Sequence, residues 1–117
     1  MEFCVELYVG DTGRCPVREF LDKLKRSDPD DFAAVMAGLA KLRKRQYHKP
    51  PLSKPLNHGL FELRHVGKLN TRVLWFFVQG RKIIAVHGIR SKGQAIASHD
   101  LAIAVKRMRD WQARHTG

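Results

Sequence analysis

The stretch from residue 60 to residue 92 constrains most strongly how this chain can fold. It holds three apolar runs, at 60–65, 71–78 and 82–89, separated by two short breaks that contain Gly67, Asn70 and Gly80. Short runs of this kind, rich in aromatic and β-branched residues and bounded by Gly and Asn, are typical of β-hairpins. The stretch therefore predicts a three-stranded antiparallel meander.

The first hairpin of this meander places two arginines together. If it is centred on Lys68, Arg64 lies directly opposite Arg72, with both side chains on one face and their Cβ atoms about 5 Å apart. Two guanidinium groups at that separation repel each other, and a bound phosphate would relieve the repulsion because the planar guanidinium can bind two oxygens. Alternatively, both arginines are solvated strand residues with Glu62 as a salt-bridge partner, which is ordinary on an open sheet face. The sequence leaves both interpretations open.

The second hairpin decides where His87 points. A turn with either 79–80 or 80–81 as its two central residues puts His87 on the same face as Arg72, whereas a three-residue turn would put it on the other face. The face opposite Arg72 receives apolar side chains that are predicted to pack against helices. These are Phe61, Leu63, Val73, Trp75 and Phe77.

The rest of the chain supplies the other elements of an α+β fold. Residues 3–9 read as a first strand, Pro16 and the Asp28-Pro29 pair begin two helices, and Ser98 caps a last helix. The connection 49–59 is too rich in proline for regular structure. The predicted order is β-α-α-β-β-β-α in one domain over 1–117, an antiparallel sheet with helices on one face and an open, basic second face.

The charge of the chain is concentrated in its middle third. The formal net charge is +11. Residues 41–82 hold eleven Lys and Arg side chains and a single acid, Glu62, whereas residues 1–40 hold five basic and eight acidic side chains. Such a surface favours a polyanionic partner. Nucleic acid is favoured over a membrane, because no stretch combines a strongly amphipathic helix with the charge run.

The remaining sequence features favour a cytoplasmic protein. Cys4 and Cys15 are too few for a disulfide scaffold. Met1-Glu2 lacks the basic start of a signal peptide, and no apolar run approaches the ~20 residues of a membrane span.

The candidate functional residues form a set of cations that can also donate hydrogen bonds. We find no His, Cys and carboxylate spacing typical of a metal site and no phosphate-binding glycine loop, so no cofactor is expected. A set of this kind can cleave RNA when the substrate's own 2′-hydroxyl attacks the adjacent phosphate. Arginines then stabilise the developing charge, and a lysine or histidine moves protons. The set comprises Lys54, Arg64, Arg72, His87, Arg90, Lys92 and His99. His87 can instead be a core residue, and His99 a bystander.

Three segments carry a resemblance to a known family. They read PLSKPLNHGLFELR, TRVLWFF and GRKIIAVHGIRSKGQ. Over nearly the whole chain, the pattern resembles the RelE/ParE superfamily of toxins, and within it the HigB-like, phage-derived subgroup. The resemblance implies a toxin of a type II toxin–antitoxin system that cuts mRNA in the ribosomal A site without a metal. It implies a cognate antitoxin as a partner in a hetero-oligomer, and mRNA with the rRNA of the 30S subunit as the other contacts.

The resemblance also implies roles for individual residues. Arg64 matches the basic residue ending the second strand of the family, Arg72 the arginine opening the third, and Lys92 or Arg90 the basic residue after the fourth. We therefore predict Arg64, Arg72 and Lys92 as catalytic. Lys54, His87, Arg90 and His99 are predicted to bind substrate, His99 because it falls where some members place a residue that stacks on the base.

Two other functions share this fold and stay open. One is inhibition of DNA gyrase, as in ParE-like members, which bind a protein and cut nothing. The other is an antitoxin-binding module that has lost catalysis. The antitoxin-binding module stays open because residues 93–97 read GQAIA, where the subgroup commonly has a second lysine and Thr-Pro.

Overall fold

The computed structural model describes residues 2–67 and 69–115. Lys68, the centre of the predicted first hairpin, lies outside the described residues. The helices are α1 (Pro16–Ser27), α2 (Pro29–Lys41) and α3 (Ser98–His115). The strands are β1 (Cys4–Leu7), β2 (Ser53–Pro55), β3 (Leu60–Val66), β4 (Asn70–Val78) and β5 (Lys82–Ser91), and short 3-10 turns cover Arg45–Tyr47 and Asn57–Gly59. Within the described ranges, no helix is both long enough and apolar enough to cross a membrane.

The five strands form a mixed sheet in the order β1-β5-β4-β3-β2. The predicted meander of β3, β4 and β5 is antiparallel as expected, but β1 pairs with β5 in parallel. The prediction of a purely antiparallel sheet is therefore wrong. The prediction failed because β1 is followed by α1 and α2 and does not form a hairpin. After this long connection, β5 can lie beside β1 and run in the same direction.

The proline-rich connection contains a strand that the sequence did not predict. Ser53–Pro55 pairs antiparallel with β3 and forms one edge of the sheet. Proline is tolerated there because an edge strand leaves one row of backbone groups unpaired. This short strand places Lys54 directly opposite Glu62.

Helices cover both faces of the sheet. α1 and α2 bury one face, where Leu63, Val73 and Trp75 contribute to the core. α3 packs on the other face against Leu74 and Phe76. The prediction that all helices lie on one face is wrong, because the continuous apolar run of β4 has side chains for two cores, as expected of a strand buried on both sides.

The hairpin between β4 and β5 has an unexpected geometry. Val78 pairs with Lys82, so the loop has three residues, with positive φ at Gly80 and Arg81. This loop alone would turn His87 away from the face of Arg72. A register shift then pairs Trp75 with Ala85 and Leu74 with His87. One extra β5 residue is accommodated in this way, as in a β-bulge. The bulge returns His87 to the face of Arg72.

Candidate functional site

Arg64 and Arg72 lie opposite each other on β3 and β4, as the sequence predicts. Their environments differ. Arg72 is fully buried, and its Nε lies 3.2 Å from the Oε2 atom of Glu62, which is also buried. The carboxylate offsets the repulsion between the two guanidinium groups. Arg72 is therefore neither solvated nor presented to a ligand, and the prediction that it touches substrate does not fit its position.

The Arg72 side chain also holds the segment after β5. Its Nη2 donates to the carbonyl oxygens of Gly93, at 3.4 Å, and Gln94. The amide of Asn70 donates to the carbonyl of Gly93 at 2.8 Å. Together these bonds fold the loop that carries Lys92 back against β4. Sequence reasoning missed Asn70, because a buried amide at a strand start carries no local signal.

Arg64 is the accessible member of the pair. It is half-buried, and within the described part of the chain it takes part in no ion pair. Its Nε is buried without a hydrogen-bond partner there. The side chain lines a pocket at the β2 edge of the sheet together with Lys41, Tyr47 and Lys49. An unpaired guanidinium of this kind is a natural site for an anion.

Two more of the predicted cations are exposed and lie near Arg64 or on the loop that contacts Arg72. Lys54 faces the same side as Glu62 and is a diagonal cross-strand neighbour of Arg64. Side chains in that relation have Cα atoms about 7–8 Å apart. Lys92 is exposed on the loop that Arg72 and Asn70 hold. The structure thus brings together Lys54, Arg64 and the Lys92 loop around a buried Arg72.

His87 is engaged by α3. Its Nε2 lies 2.8 Å from Oδ1 of Asp100, and its Nδ1 lies 3.0 Å from Nη1 of Arg107. Arg107 also donates to the carbonyl of Val86 at 2.9 Å. Since a guanidinium can only donate, Nδ1 accepts and the ring proton of the neutral form sits on Nε2, where it donates to Asp100. This environment fits the alternative of a packed structural histidine.

The pKa of His87 is lowered. Burial is the main cause, and the charge of Arg107 and of His99 adds to it, whereas Asp100 opposes it through a hydrogen bond and its charge. Because the folded protein resists protonation of His87, the unfolded chain takes up the proton first. The contribution of His87 to stability should therefore be constant above the ordinary histidine pKa of about 6.5, and it should fall as the pH drops below that value.

This gives a test of the His87 cluster. The melting temperature of the wild type should fall between pH 7 and pH 5.5, and that of His87→Gln should fall less steeply. A matched control is His58→Asn, at an exposed histidine with positive φ. Asparagine tolerates this backbone conformation. It should keep the wild-type slope. Equal slopes for wild type and His87→Gln in thermal melts would contradict the assignment.

Arg90 lies on the opposite side of the sheet from Arg72. Its Nη2 binds the carboxylates of Asp28 and Asp31, the latter at 3.1 Å. Asp31 also accepts from Thr71 Oγ1 at 3.2 Å and lies 3.3 Å from His65. These contacts tie the start of α2 to the sheet. The prediction of Arg90 as a substrate-binding residue is at odds with this structural position.

His99 faces β5 and α1 at the start of α3. It is largely exposed and lines a pocket against α1 that also includes Phe20 and Gly88. Its Nε2 lies 3.5 Å from Asp100. The structure therefore does not bring His99 to the group of Lys54, Arg64 and Lys92.

Among residues 2–67 and 69–115, no group of three or more His, Cys, Asp and Glu side chains has the geometry to hold a metal ion.

Residues 19–109 match the family described as phage-derived protein Gp49-like (DUF891). The match spans most of the chain, which therefore belongs to that family, a family of toxin–antitoxin toxins related to RelE. Membership implies an antitoxin as a partner. No curated protein matches the chain.

Proposed function

We propose that this protein is a HigB-like toxin that cleaves mRNA on the ribosome without a metal ion. The single observation that supports it best is the state of the two arginines. Glu62 neutralises Arg72 in the interior, and Arg64 is left beside Lys54 without a carboxylate of its own among the described residues. A phosphodiester is a ligand that this arrangement suits.

The proposed reaction needs only the substrate and three side chains of this chain. The 2′-oxygen attacks the adjacent phosphorus, the bond from phosphorus to the 5′-oxygen breaks, and a 2′,3′-cyclic phosphate and a 5′-hydroxyl are formed. Arg64 stabilises the charge that develops on the phosphoryl oxygens. One proton leaves the 2′-hydroxyl and one reaches the 5′-oxygen, and Lys54 and Lys92 are the exposed groups proposed to move them. Arg72 acts as a positioning residue for the Lys92 loop.

Inhibition of DNA gyrase is the second candidate. The observation that favours it is that three predicted site residues form ion pairs within the protein. Arg72, His87 and Arg90 each contact a carboxylate of the chain. A toxin that acts by binding needs no reactive centre. The two candidates differ in the damage they cause, which is cut transcripts for the first and DNA breaks with intact transcripts for the second.

The role of Arg64 can be tested by inducing the protein in growing bacteria. The wild type should arrest growth, and Arg64→Ala should restore colony formation, because removing one oxyanion donor typically lowers kcat by about 10²- to 10³-fold. Arg18→Ala is the matched control, since Arg18 is exposed on α1, across the sheet from Arg64. It should arrest growth like the wild type. A stable Arg64→Ala protein that still arrests growth fully would remove Arg64 from the site.

A further inference from the structure

Arg64 lines a pocket whose other residues have no role in the reaction just described. The pocket opens at the β2 edge of the sheet, between the end of α2 and the connection that precedes β2, and has a volume of about 540 Å³. Its polar lining includes Lys41, Tyr47, Lys49 and Arg64. A volume of this size falls in the range of pockets that hold small ligands.

The pocket is strongly cationic. No Asp or Glu occurs from residue 32 to residue 61, a segment that holds six Lys and Arg side chains. Arg43 is paired with Glu2 at 2.9 Å. Lys41, Lys49 and Arg64, by contrast, take part in no ion pair within the described ranges. The Nε of Arg64 is a buried donor that lacks an acceptor there. A buried donor without a partner costs free energy, which an anion in the pocket would recover.

The pocket also presents an aromatic ring. The Nζ of Lys41 lies 5.5 Å from the centre of the Tyr47 ring, so a flexible ammonium rather than a core side chain covers that face. Tyr47 itself is half-buried. A nucleobase can stack on such a ring, because every base has a π-face. Cations next to a partly exposed aromatic ring are typical of sites for single-stranded nucleic acid.

The segment that carries Tyr47 is held in place. Ser53, itself buried, donates from Oγ to the carbonyl oxygen of Tyr47 at 2.7 Å, and His48 bonds to the carbonyl of Leu42 at 2.6 Å. The backbone N–H of Arg64 donates to the carbonyl of Leu52 at 3.2 Å. The backbone at Tyr47 and at Arg64 is thus fixed to the same sheet edge, so a ligand would have only side chains to order.

We propose that this pocket is a subsite for the RNA strand, in which Lys41 and Lys49 bind the backbone phosphate next to the one that Arg64 binds for cleavage, and Tyr47 stacks on the neighbouring base. This inference rests on the proposed function, and it specifies how the strand reaches Arg64. It assigns Tyr47 a binding role and no part in the chemistry.

The test measures binding without cleavage. A fluorescently labelled 12-nucleotide RNA with 2′-O-methyl groups at every position has no attacking hydroxyl, and its affinity can be followed by anisotropy over a range of salt concentrations. Tyr47→Ala should weaken binding about 5- to 30-fold, the effect expected of one lost stacking contact. Tyr47→Phe should keep wild-type affinity. Lys49→Ala should lower the slope of log K against log salt by about one.

Two controls keep the proposal falsifiable. Arg18→Ala, on α1, which packs against β5 and away from the β2 edge, should stay within about twofold of the wild type. Melting curves should show that each variant is folded. If Tyr47→Ala does not fold, the exposed Lys41 and Lys49 still provide variants. Unchanged affinity in Tyr47→Ala and Lys49→Ala, or no RNA binding by the wild type, would overturn the subsite.

A polyglutamate peptide of matched charge tests the competing occupant, an acidic protein segment. If it loses affinity on Tyr47→Ala as the RNA does, the RNA subsite is overturned. These outcomes are separate from those of the proposed function, since a protein can cleave mRNA while binding it elsewhere. Equally, it can hold RNA in this pocket while cellular transcripts stay intact.

Discussion

Arg72→Ala is expected to destabilise the protein by about 3–5 kcal/mol, as when one partner of a buried ion pair is removed. Arg72 is wholly buried, and its loss would leave the carboxylate of Glu62 buried without a cation. The hydrogen bonds to Gly93 and Gln94 would be lost as well. The measurement is the free energy of unfolding in urea at neutral pH.

A double-mutant cycle separates the ion pair from the loop contacts. The cycle comprises Glu62→Leu, Arg72→Leu and the double variant. The double variant should be more stable than Arg72→Leu alone, because no unpaired charge stays in the interior. Arg72→Ala should also reduce toxicity, through lower abundance and a displaced Lys92 loop. An Arg72→Ala protein within about 1 kcal/mol of the wild type would show that Arg72 is solvated, contrary to the structure.

Trp75→Ala is expected to cost about 3–5 kcal/mol, as for other large buried aromatic residues. Trp75 is fully buried in the core beneath α1 and α2. Its ring stacks on Phe61 at 4.7 Å and meets Phe77 edge-on at 4.8 Å. The alanine variant would leave a cavity between the sheet and both helices. Thermal or chemical unfolding measures the loss.

Phe77→Ala is the matched control for Trp75. Phe77 belongs to the same aromatic cluster but is 39% exposed. Its truncation should therefore cost clearly less than that of Trp75. A Trp75→Ala protein that melts within a few degrees of the wild type would show that the core does not depend on this ring.

The central hairpin could be predicted from the sequence because its signals are local. The spacing of Arg64 and Arg72 around a Gly-containing break sets the register, and the register sets the faces. The alternation of Phe61, Leu63, Val73 and Trp75 therefore located one core correctly. These features depend on neighbours in the chain and on the period of a strand.

The features that were missed depend on contacts between distant segments. No local pattern near Cys4–Leu7 indicates that this strand pairs with β5. The apolar stripe of α3 likewise does not indicate which face of the sheet it covers. The hydrogen bonds of buried Arg72 are made with the loop after β5, which lies far along the chain. The bulge that reorients His87 leaves no local pattern, since it corrects a loop that is one residue longer than expected.

The most direct test of the central claim is a map of transcript ends after induction of the protein. If Arg64 acts on mRNA held by the ribosome, the wild type should produce new 5′ ends inside translated regions, in phase with codons. Those ends should disappear in Arg64→Ala and persist in Arg18→Ala. Intact transcripts in cells that the wild type has arrested, with breaks in DNA instead, would contradict the claim.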